Sequence, residues 1–402
     1  MSRLLISRSH DLKKLQNEGY ELEVRSGYLL VHSIPYVNSG KEVKRGSLVA
    51  KLVLAGDKTA APDDHVCYFI GDHPCESDGR EIAEIKHQSS SRELAQGVVI
   101  DHSFSAKPQP SGSYPDYHAK MSTYAALLSG PAQVIDPGAK PQTFKVLEVD
   151  ENERDTPFNY IDTASSRAEI DLVTDKLKQL KKIAIIGLGG TGSFILDLMA
   201  KTPVWEIHLY DGDKYLQHNA FRSPGAPSKE ELEPQPYKST WFKNLYSKLH
   251  SGIIDHPVYL DEGNIDELRS MGFVFLCVDD GESKKRIVEK LEEFKLSFID
   301  VGLGVNLSDD SLGGIVRVTT STEQKREHFR DRVSFGDAGN NEYNRNIQIA
   351  DLNALNAALA VIKFKKIFGF YRDMKSECHS QFHIDTNGIV NDNLIKRGEG
   401  GE

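Results

Sequence analysis

The stretch Lys182-Ile-Ala-Ile-Ile186-Gly187-Leu-Gly189-Gly190-Thr-Gly192-Ser193 decides the fold of the C-terminal half of the chain. Its apolar start predicts a buried strand, and the glycines predict a tight turn into a helix. In such a turn Gly187 permits the bend, Gly189 lets backbone approach phosphates, and Gly192 lets helix and strand pack closely. The helix N-terminus adds unpaired N–H donors. We therefore predict a phosphate-binding loop; a glycine turn without a ligand is the alternative.

Alternating apolar and helical segments follow this loop. Strands are predicted at residues 183–186, 205–210, 272–278 and 298–301, with helices at 193–200, 239–250 and 283–294. A last helix is predicted at 348–364, with an apolar stripe of Leu352, Leu355, Leu359 and Ile362. Buried strands that alternate with helices indicate a mostly parallel sheet covered on both faces. We predict an α/β nucleotide-binding domain over residues 165–395.

The N-terminal part has a different pattern, with short β-rich stretches between turn residues. These stretches lie at residues 28–32, 48–54, 66–70 and 97–100, which predicts an antiparallel sheet. A helix is predicted at 117–128, ended by Gly130-Pro131. Residues 136–166 are polar and irregular, as expected of a connector. We predict a smaller, β-rich α+β domain over residues 1–155.

Composition limits the class of protein. At 402 residues the chain exceeds the usual size of one hydrophobic core, which agrees with two domains. The net charge of −10 argues against a general nucleic-acid-binding protein. The start of the chain lacks the apolar region of a signal peptide, and no run approaches 18 apolar residues. We expect a cytoplasmic protein that binds neither nucleic acid nor membrane.

The strand after the glycine loop runs into polar residues that separate two classes of enzyme. Asp211 lies where dinucleotide-binding folds place the carboxylate that accepts the ribose hydroxyls, so a nicotinamide-dependent oxidoreductase fits up to this point. Asn219 and Arg222 follow shortly after. Hydride transfer has no need of them, whereas nucleotidyl transfer needs groups that bind phosphate.

Together these residues resemble the ThiF/MoeB/ubiquitin-activating-enzyme superfamily. Its pattern is a Gly-x-Gly-Gly-x-Gly loop, a strand that ends in Asp-x-Asp, and Asn-x-x-Arg eight residues after the first Asp. The matching residues are Gly187, Gly189, Gly190, Gly192, Asp211, Asp213, Asn219 and Arg222. Lys238 and Asp279 match the family's lysine at a helix start and its aspartate after a hydrophobic strand. The resemblance covers residues 165–390 and implies a Rossmann-like, ThiF-type adenylation domain.

The resemblance implies ATP and Mg²⁺ as cofactors, and the residue types suit that chemistry. A carboxylate that attacks the α-phosphate brings two anions together, so Arg222 and Lys238 are expected to neutralise phosphate oxygens. Asp279 is expected to hold Mg²⁺, with Asp280 as the competing ligand. Asp211 is expected to orient the ribose, and Asn219 to donate to a phosphate or ribose oxygen.

Arg167 is the candidate for a residue that acts on a second subunit. In the resembled family an arginine so placed, before the first helix of the domain, reaches into the partner's active site. This implies a homodimer whose activity depends on association. A surface arginine near a helix start is the alternative.

The cysteines depart from the pattern of many relatives, which transfer the activated carboxylate to a cysteine on a crossover segment. The matching segment here, residues 320–346, contains none. Cys277 lies within a predicted strand, Cys378 follows the last helix, and Cys75 stands in a stretch faintly similar to conjugating domains. We predict adenylation without a catalytic cysteine, with Cys75 and Cys378 as weaker thioester candidates.

These interpretations give one leading hypothesis. The chain adenylates the C-terminal carboxylate of a ubiquitin-like protein or peptide and releases pyrophosphate, and its N-terminal domain recognises the substrate or a conjugating-enzyme partner. The alternatives are an adenylyltransferase for a sulfur-carrier protein, which usually lacks so large an N-terminal extension, and a nucleotide-binding scaffold without turnover.

Overall fold

The computed structural model describes residues 2–149, 154–335 and 347–392. The chain forms two compact units. One comprises Met1–Leu147 with Ser166–Ala168, and the other comprises Glu148–Ser165 with Glu169–Glu402. Residues 148–165, which the sequence assigns to a connector, thus group with the C-terminal unit. No helix in the described ranges is both long and apolar enough to cross a bilayer.

The N-terminal unit is an antiparallel sheet with helices. Its elements are α1 (Ser2–Arg8), α2 (His10–Asn17), β1 (Glu21–Arg25), β2 (Tyr28–Val37), β3 (Val43–Lys51), β4 (Leu54–Ala55), β5 (Lys58–Thr59), β6 (Val66–Ile70), β7 (Lys86–Ala95), β8 (Val98–Ser105) and α3 (Tyr117–Ile135). Six strands pair in the order β1-β2-β3-β6-β8-β7, all antiparallel, and β4 pairs with β5. The predicted antiparallel sheet is therefore present. Strand β7 is polar and exposed, and the sequence pattern did not predict it.

Two buried tyrosines fasten α3 to this sheet. The Tyr117 hydroxyl donates to Lys51 O at 2.6 Å and accepts from Val53 N at 2.8 Å. The Tyr124 hydroxyl accepts from Ala106 N at 2.7 Å. Both side chains are fully buried, so these bonds satisfy backbone groups that lack a strand partner.

Helix α3 does not end where the sequence predicted. It continues through Gly130-Pro131 to Ile135. Pro131 removes one N–H and leaves the Leu127 carbonyl without its usual partner, but Leu127 is exposed and water can replace that bond. Beyond the proline, Ala132 packs against Val37 in a small buried cluster. Tertiary packing outweighs the local stop signal.

The C-terminal unit contains the predicted alternation of strands and helices. Its elements are α4 (Thr163–Arg167), α5 (Asp171–Lys178), β9 (Lys182–Ile186), α6 (Gly190–Met199), β10 (Glu206–Tyr210), α7 (Gln217–Ala220), α8 (Lys229–Leu232), α9 (Lys238–Tyr246), β11 (Ile253–His256), β12 (Phe273–Leu276), α10 (Gly281–Glu293), β13 (Phe298–Ser308), β14 (Ser311–Ser321), α11 (Phe329–Arg332), α12 (Ala350–Ile367), β15 (His379–His383) and β16 (Gly388–Asp392). The last residues of α4, Ser166 and Arg167, belong to the N-terminal unit.

The sheet of this unit is mixed. Its strand order is β11-β10-β9-β12-β13-β14-β15-β16, and the first five strands are parallel. Numbered along the chain, these five have the order 3-2-1-4-5, which is typical of nucleotide-binding α/β folds. The last three strands run antiparallel. The α/β prediction is confirmed, and the parallel sheet accounts for five of the eight strands.

The antiparallel extension starts at a turn that the sequence analysis overlooked. Strand β13 runs beyond its predicted end to Ser308 and returns as β14 after Asp309 and Asp310. Both aspartates have positive φ, 47° and 63°, as a two-residue type I′ hairpin turn requires. The two long strands carry the sheet past the point where a purely parallel arrangement would end.

Helix α12 buries a different face from the predicted one. Its buried residues are Asn353, Asn356, Ala357, Ala360, Val361, Lys363 and Phe364. Of the predicted apolar stripe, Leu352, Leu355 and Leu359 are half-buried, and Ile362 is 42% exposed. The helix packs closely against α6, and a close helix contact favours small side chains such as Ala357 and Ala360 over leucines.

Candidate active site

A cavity of about 1000 Å³ lies at the carboxyl ends of the parallel strands of the C-terminal unit. Of the residues predicted for the site, it is lined by Gly187, Gly189, Gly190, Asp211, Asp213, Arg222, Lys238 and Asp279. Gly192, Asn219 and Arg167 are not in the lining. Open parallel sheets bind ligands at this edge, because the strand order reverses there and leaves a crevice.

Each glycine of the loop meets a different steric demand. Gly187 has φ +89°, a conformation that other residues rarely adopt. A Cβ on Gly192 would lie 1.9 Å from Gly187 O, so only glycine lets α6 start this close to the turn. Gly189 has φ −67°, and no heavy atom of another described part of the chain lies within 4 Å of its Cβ position, so glycine there keeps cavity space open.

Asn353 of α12 packs against the start of α6 and was not predicted as a site residue. Its Oδ1 accepts from the Thr191 hydroxyl at 2.9 Å, and its Nδ2 donates to Arg222 O at 3.2 Å. A Cβ on Gly190 would lie 1.9 Å from Asn353 Nδ2. Asn353 is fully buried, so one side chain fixes both the glycine loop and the backbone of Arg222.

Asp211 directly follows strand β10, and its side chain turns back to the glycine loop. Its Oδ2 accepts from Leu188 N at 2.6 Å and its Oδ1 accepts from Asp213 N at 2.8 Å. Burial raises the pKa of this carboxyl, although Lys238 and the two backbone donors oppose that shift. A carboxylate held at this position is suited to accept a hydrogen bond from a ribose hydroxyl.

Lys238 begins helix α9 and is paired in the structure. Its Nζ lies 2.6 Å from Asp213 Oδ2 and 3.9 Å from Asp211 Oδ2. Asp213 also accepts from the Tyr259 hydroxyl. Burial alone would raise the pKa of Asp213, but the bonds from Lys238 and Tyr259 outweigh it and lower the pKa. The same bond and burial raise the pKa of Tyr259 to about 12.

Arg222 and Asn219 have separate roles. Arg222 lines the cavity, and its Nε is buried without a hydrogen-bond partner among the described residues. Asn219 is buried; its Oδ1 accepts from Leu216 N at 2.8 Å, and its carbonyl accepts from Arg222 N at 3.1 Å. This geometry gives Asn219 a local role in holding the turn that carries Arg222. The predicted contact of Asn219 with a phosphate or ribose remains untested.

The two aspartates after β12 are also distinguished by the structure. Asp280 caps α10, because its Oδ2 accepts from Ser283 N at 2.7 Å. Both Asp279 and Asp280 line the cavity and are exposed, so the cap of α10 is what sets Asp280 apart. The described residues hold no group of three or more His, Cys, Asp and Glu side chains arranged around a metal ion. One carboxylate suits Mg²⁺, which keeps several waters and binds mainly through substrate phosphates.

The far side of the cavity, over β13 and β14, contains charged residues that the sequence analysis missed. Asp300 is fully buried, and its Oδ2 accepts from Arg317 Nη2 at 2.6 Å. Lys284 Nζ lies 3.0 Å from Asp300 Oδ1. Asp300 stood inside an apolar run that predicted only a strand, and a charged residue in such a run was the available signal.

Arg167 contacts its own N-terminal unit. Its Nη2 donates to Asn17 O at 2.6 Å, and its guanidinium lies 6.0 Å from the ring centre of Phe144. The side chain is exposed. A role in a partner's active site stays a prediction, and it would require these contacts to be exchanged.

The four cysteines are poor nucleophiles in this structure. Burial raises the pKa of each thiol, to about 12 for Cys67 and above its ordinary value for Cys75, Cys277 and Cys378. Cys75 and Cys378 are each 1% exposed. Since the thiolate is the reactive form, neither weaker thioester candidate is set up for attack.

Comparison with known proteins finds one family model that is similar to the N-terminal part of the chain. Residues 10–163 match the family model described as "Domain of unknown function (DUF6791)". The match ends before β9, so the glycine loop and the cavity lie outside it. No curated protein sequence matches the chain.

Solved structures are similar over more than half of the chain. A structure of E. coli MccB with MccA-N7isoASN is 19% identical and covers 58% of this chain and 69% of its own, with a TM-score of 0.45. E. coli MccB with ATP is 17% identical and covers 58% and 72%, with a TM-score of 0.45. Selenomethionine PaaA is 15% identical and covers 56% and 75%, with a TM-score of 0.42. MccA-N7isoASN and ATP are bound by MccB in those structures.

Proposed function

We propose that the chain is an adenylyltransferase that uses ATP to activate the C-terminal carboxylate of a ubiquitin-like protein or peptide. The observation that carries the proposal is the meeting of eight predicted residues at one cavity. The glycine loop, the Asp211–Asp213 pair, Arg222 with Lys238, and Asp279 come from four separate stretches of sequence. A glycine turn without a ligand would not require the other three stretches to converge on it.

The reaction follows from the residue types. A carboxylate oxygen of the substrate bonds to the α-phosphorus of ATP, and the bond from phosphorus to the bridging oxygen breaks. Pyrophosphate leaves with the electron pair, and the product is a mixed anhydride of the acyl group and AMP. Because both reactants are anionic, cations near the phosphorus stabilise the transition state more than the ground state. Arg222, whose Nε has no hydrogen-bond partner in the described ranges, and Lys238 supply them.

Lys238 is held by Asp213 before any phosphate arrives. This ion pair keeps the Lys238 ammonium at the cavity wall. The side chain therefore loses no further conformational freedom when a phosphate oxygen binds to the side of the ammonium that faces the cavity. Asp279 would hold Mg²⁺, which supplies charge neutralisation to the phosphates when bound. Asp211, fixed by two backbone donors, would set the ribose and thereby the direction of the α-phosphate.

The remaining parts of the proposal concern partners. Four thiols with raised pKa values favour release of the adenylate to an outside acceptor over a thioester on this chain. We assign the N-terminal unit to recognition of the substrate or of a conjugating enzyme, and we propose a homodimer in the cytoplasm, where ATP is supplied.

ATP–pyrophosphate exchange tests the reaction. Candidate ubiquitin-like proteins and peptides that end in glycine would be mixed with the full chain, ATP, Mg²⁺ and labelled pyrophosphate. We expect exchange that requires the carboxylate partner and falls at least about 100-fold in Asp279→Asn, since charge-stabilising groups are worth about 10²–10³ in rate. Asp280→Ser, which preserves the cap of α10, is the matched control and should retain exchange.

Two results would count against the proposal. Tight ATP binding without exchange for any candidate would favour a nucleotide-binding scaffold. Preference for NAD over ATP in equilibrium binding would favour an oxidoreductase. Exchange with a sulfur-carrier protein and not with other ubiquitin-like proteins would keep the reaction and change the substrate.

A further inference from the structure

The order of strands divides the cavity into two sides. Asp211 follows β10, the glycine loop follows β9, and Asp279 follows β12, so these groups assigned to ATP lie just beyond the ends of three neighbouring strands. The cavity continues over the next two strands, β13 and β14, where Gly302, Leu303 and Arg317 line it. Its volume of about 1000 Å³ stands at the upper end of ordinary ligand sites, about 300–1,000 Å³. This side therefore has room for a second reactant.

Arg317 is fixed on that side in one orientation. Its Nη2 donates to Asp300 Oδ2 at 2.6 Å and its Nη1 donates to Thr319 Oγ1 at 2.7 Å. The guanidinium lies against Gly302, where a Cβ would stand 2.6 Å from Nη2. Because glycine leaves this space, the planar group rests on strand β13 at the cavity wall. An arginine held by two partners is preorganised to bind a further planar anion.

The local charge is unbalanced. Among the residues that the structure describes, Lys284 and Arg317 share a single carboxylate, that of Asp300. Their side chains are 8% and 14% exposed, and that of Asp300 is fully buried. Two cations against one anion leave one positive charge in a place where water screens it poorly, and such a surplus favours an incoming anion.

We propose that Arg317 binds the C-terminal carboxylate of the acyl substrate, and that the cavity over β13 and β14 is the acyl-substrate side of the site. The inference rests on the proposed adenylation and adds to it the residue that receives the substrate's charge. Asp300 is a positioning residue for Arg317. Lys284 Nζ, 3.0 Å from Asp300 Oδ1, stays paired with Asp300 when Arg317 turns part of its donor set to the substrate.

A binding experiment with a non-reacting pair isolates this step. The full chain is saturated with α,β-methylene ATP, and glycylglycine or its C-terminal amide is titrated in by ligand-observed NMR. We expect the free carboxylate to bind and the amide to bind at least about tenfold more weakly, as for a charge-assisted hydrogen bond. Arg317→Gln should lower the affinity for glycylglycine about 10- to 100-fold and leave the affinity for the nucleotide unchanged.

Two controls test whether the loss of binding in Arg317→Gln comes from unfolding of the site. Lys284 still pairs with Asp300 in Arg317→Gln, and unchanged nucleotide affinity shows that the site is intact. Arg317→Lys keeps the charge without the planar fork, so its affinity for glycylglycine should fall between those of the native chain and Arg317→Gln.

Three results would overturn the inference. The first is that glycylglycine and its amide bind equally well, or that neither binds up to about 50 mM, a range that reaches well beyond a Kd of 1 mM. The second is that Arg317→Gln leaves the affinity for glycylglycine unchanged. The third is that the variant weakens only the affinity for the nucleotide, which would assign Arg317 to the triphosphate.

The inference and the reaction can fail separately. Exchange that proceeds with an unchanged KM for the acyl substrate in Arg317→Gln would remove the inference and keep the reaction. Carboxylate binding that depends on Arg317, without exchange for any candidate, would keep the carboxylate site and remove the reaction.

Discussion

The Thr191 hydroxyl donates a hydrogen bond of 2.9 Å to Asn353 Oδ1, across 162 positions of sequence. Thr191 is in the first turn of α6 and Asn353 in the first turn of α12, so the bond joins the two helices where the glycine loop ends. Asn353 is fully buried and water does not compete there. The cavity wall therefore depends on a neutral contact as well as on the charged residues that line it.

Removing this contact should cost stability. Asn353→Leu preserves bulk but leaves the Thr191 hydroxyl and the Arg222 carbonyl without their partner. At about 1–3 kcal/mol for an unsatisfied buried group, we expect a loss of about 2–4 kcal/mol in the free energy of unfolding, measured by urea denaturation. Asp351→Asn, on the exposed face of the same helix, should stay within about 0.5 kcal/mol. If Asn353→Leu and Asp351→Asn both changed the free energy of unfolding by the same small amount, the role of Asn353 would be contradicted.

Two alanine substitutions in the glycine loop should separate folding from binding. Gly192→Ala places a methyl 1.9 Å from Gly187 O and should lower the melting temperature markedly. Within the described part of the chain, the methyl of Gly189→Ala meets no heavy atom within 4 Å, so the melting temperature should be nearly unchanged. The affinity for ATP should fall, because Gly189 lines the cavity. Calorimetry of unfolding and of ATP binding measures both. An unchanged ATP affinity in Gly189→Ala would show that the loop does not contact phosphate.

Stability should fall in mild acid, with His379 as one cause. Burial and the nearby Arg332 and Arg317 lower the pKa of His379 to about 4. Below pH 6.5 His379 is protonated in the unfolded chain, whereas in the folded chain it becomes protonated only near pH 4. This residue alone should lower the free energy of unfolding by about 1.4 kcal/mol per pH unit across that window.

Urea denaturation at several pH values, for the native chain and for His379→Asn, measures this contribution. The variant should lose stability less steeply between pH 6.5 and 4, and the two slopes should agree at pH 8, where both states hold the ring neutral. Identical slopes throughout the acid range would show that His379 does not titrate as expected.

The thiols should be dispensable for activation. Cys75→Ser and Cys378→Ser are expected to retain pyrophosphate exchange within about twofold, because the raised pKa values keep both thiols protonated. A chain incubated with ATP and its carboxylate substrate should show no adduct that dithiothreitol releases on a denaturing gel. If such a thiol-sensitive adduct formed, and if Cys75→Ser or Cys378→Ser abolished it, the chain would form a thioester at that cysteine.

Arg167 allows a test of action between subunits. If it serves the partner's site, Arg167→Ala and Asp279→Asn should each be impaired, and mixing the two chains should recover about a quarter of the native exchange rate in hybrid dimers. If it only contacts Asn17 and Phe144, Arg167→Ala should keep native exchange and lose little stability, since the side chain is exposed. Analytical ultracentrifugation of the native chain gives the required oligomeric state.

Local patterns in the sequence were enough to predict several of the residues that line the cavity. The run from Lys182 to Ser193 predicted strand β9, the turn and helix α6, because periodicity and the steric needs of glycine act within a few residues. The aspartates after β10 and β12 were also recognisable, since the carboxyl ends of neighbouring parallel strands meet at one edge.

Only the tertiary structure decided which helix face is buried and which distant charges meet. Asn353 looks like a polar surface residue in sequence, and the nearby leucines look like core, yet close packing of α12 on α6 reverses these roles. Asp300 and Arg317 become partners through a hairpin that adds strand β14 to the sheet. Such pairings depend on steric fit and charge balance between segments far apart in the chain, which no local pattern of residues encodes.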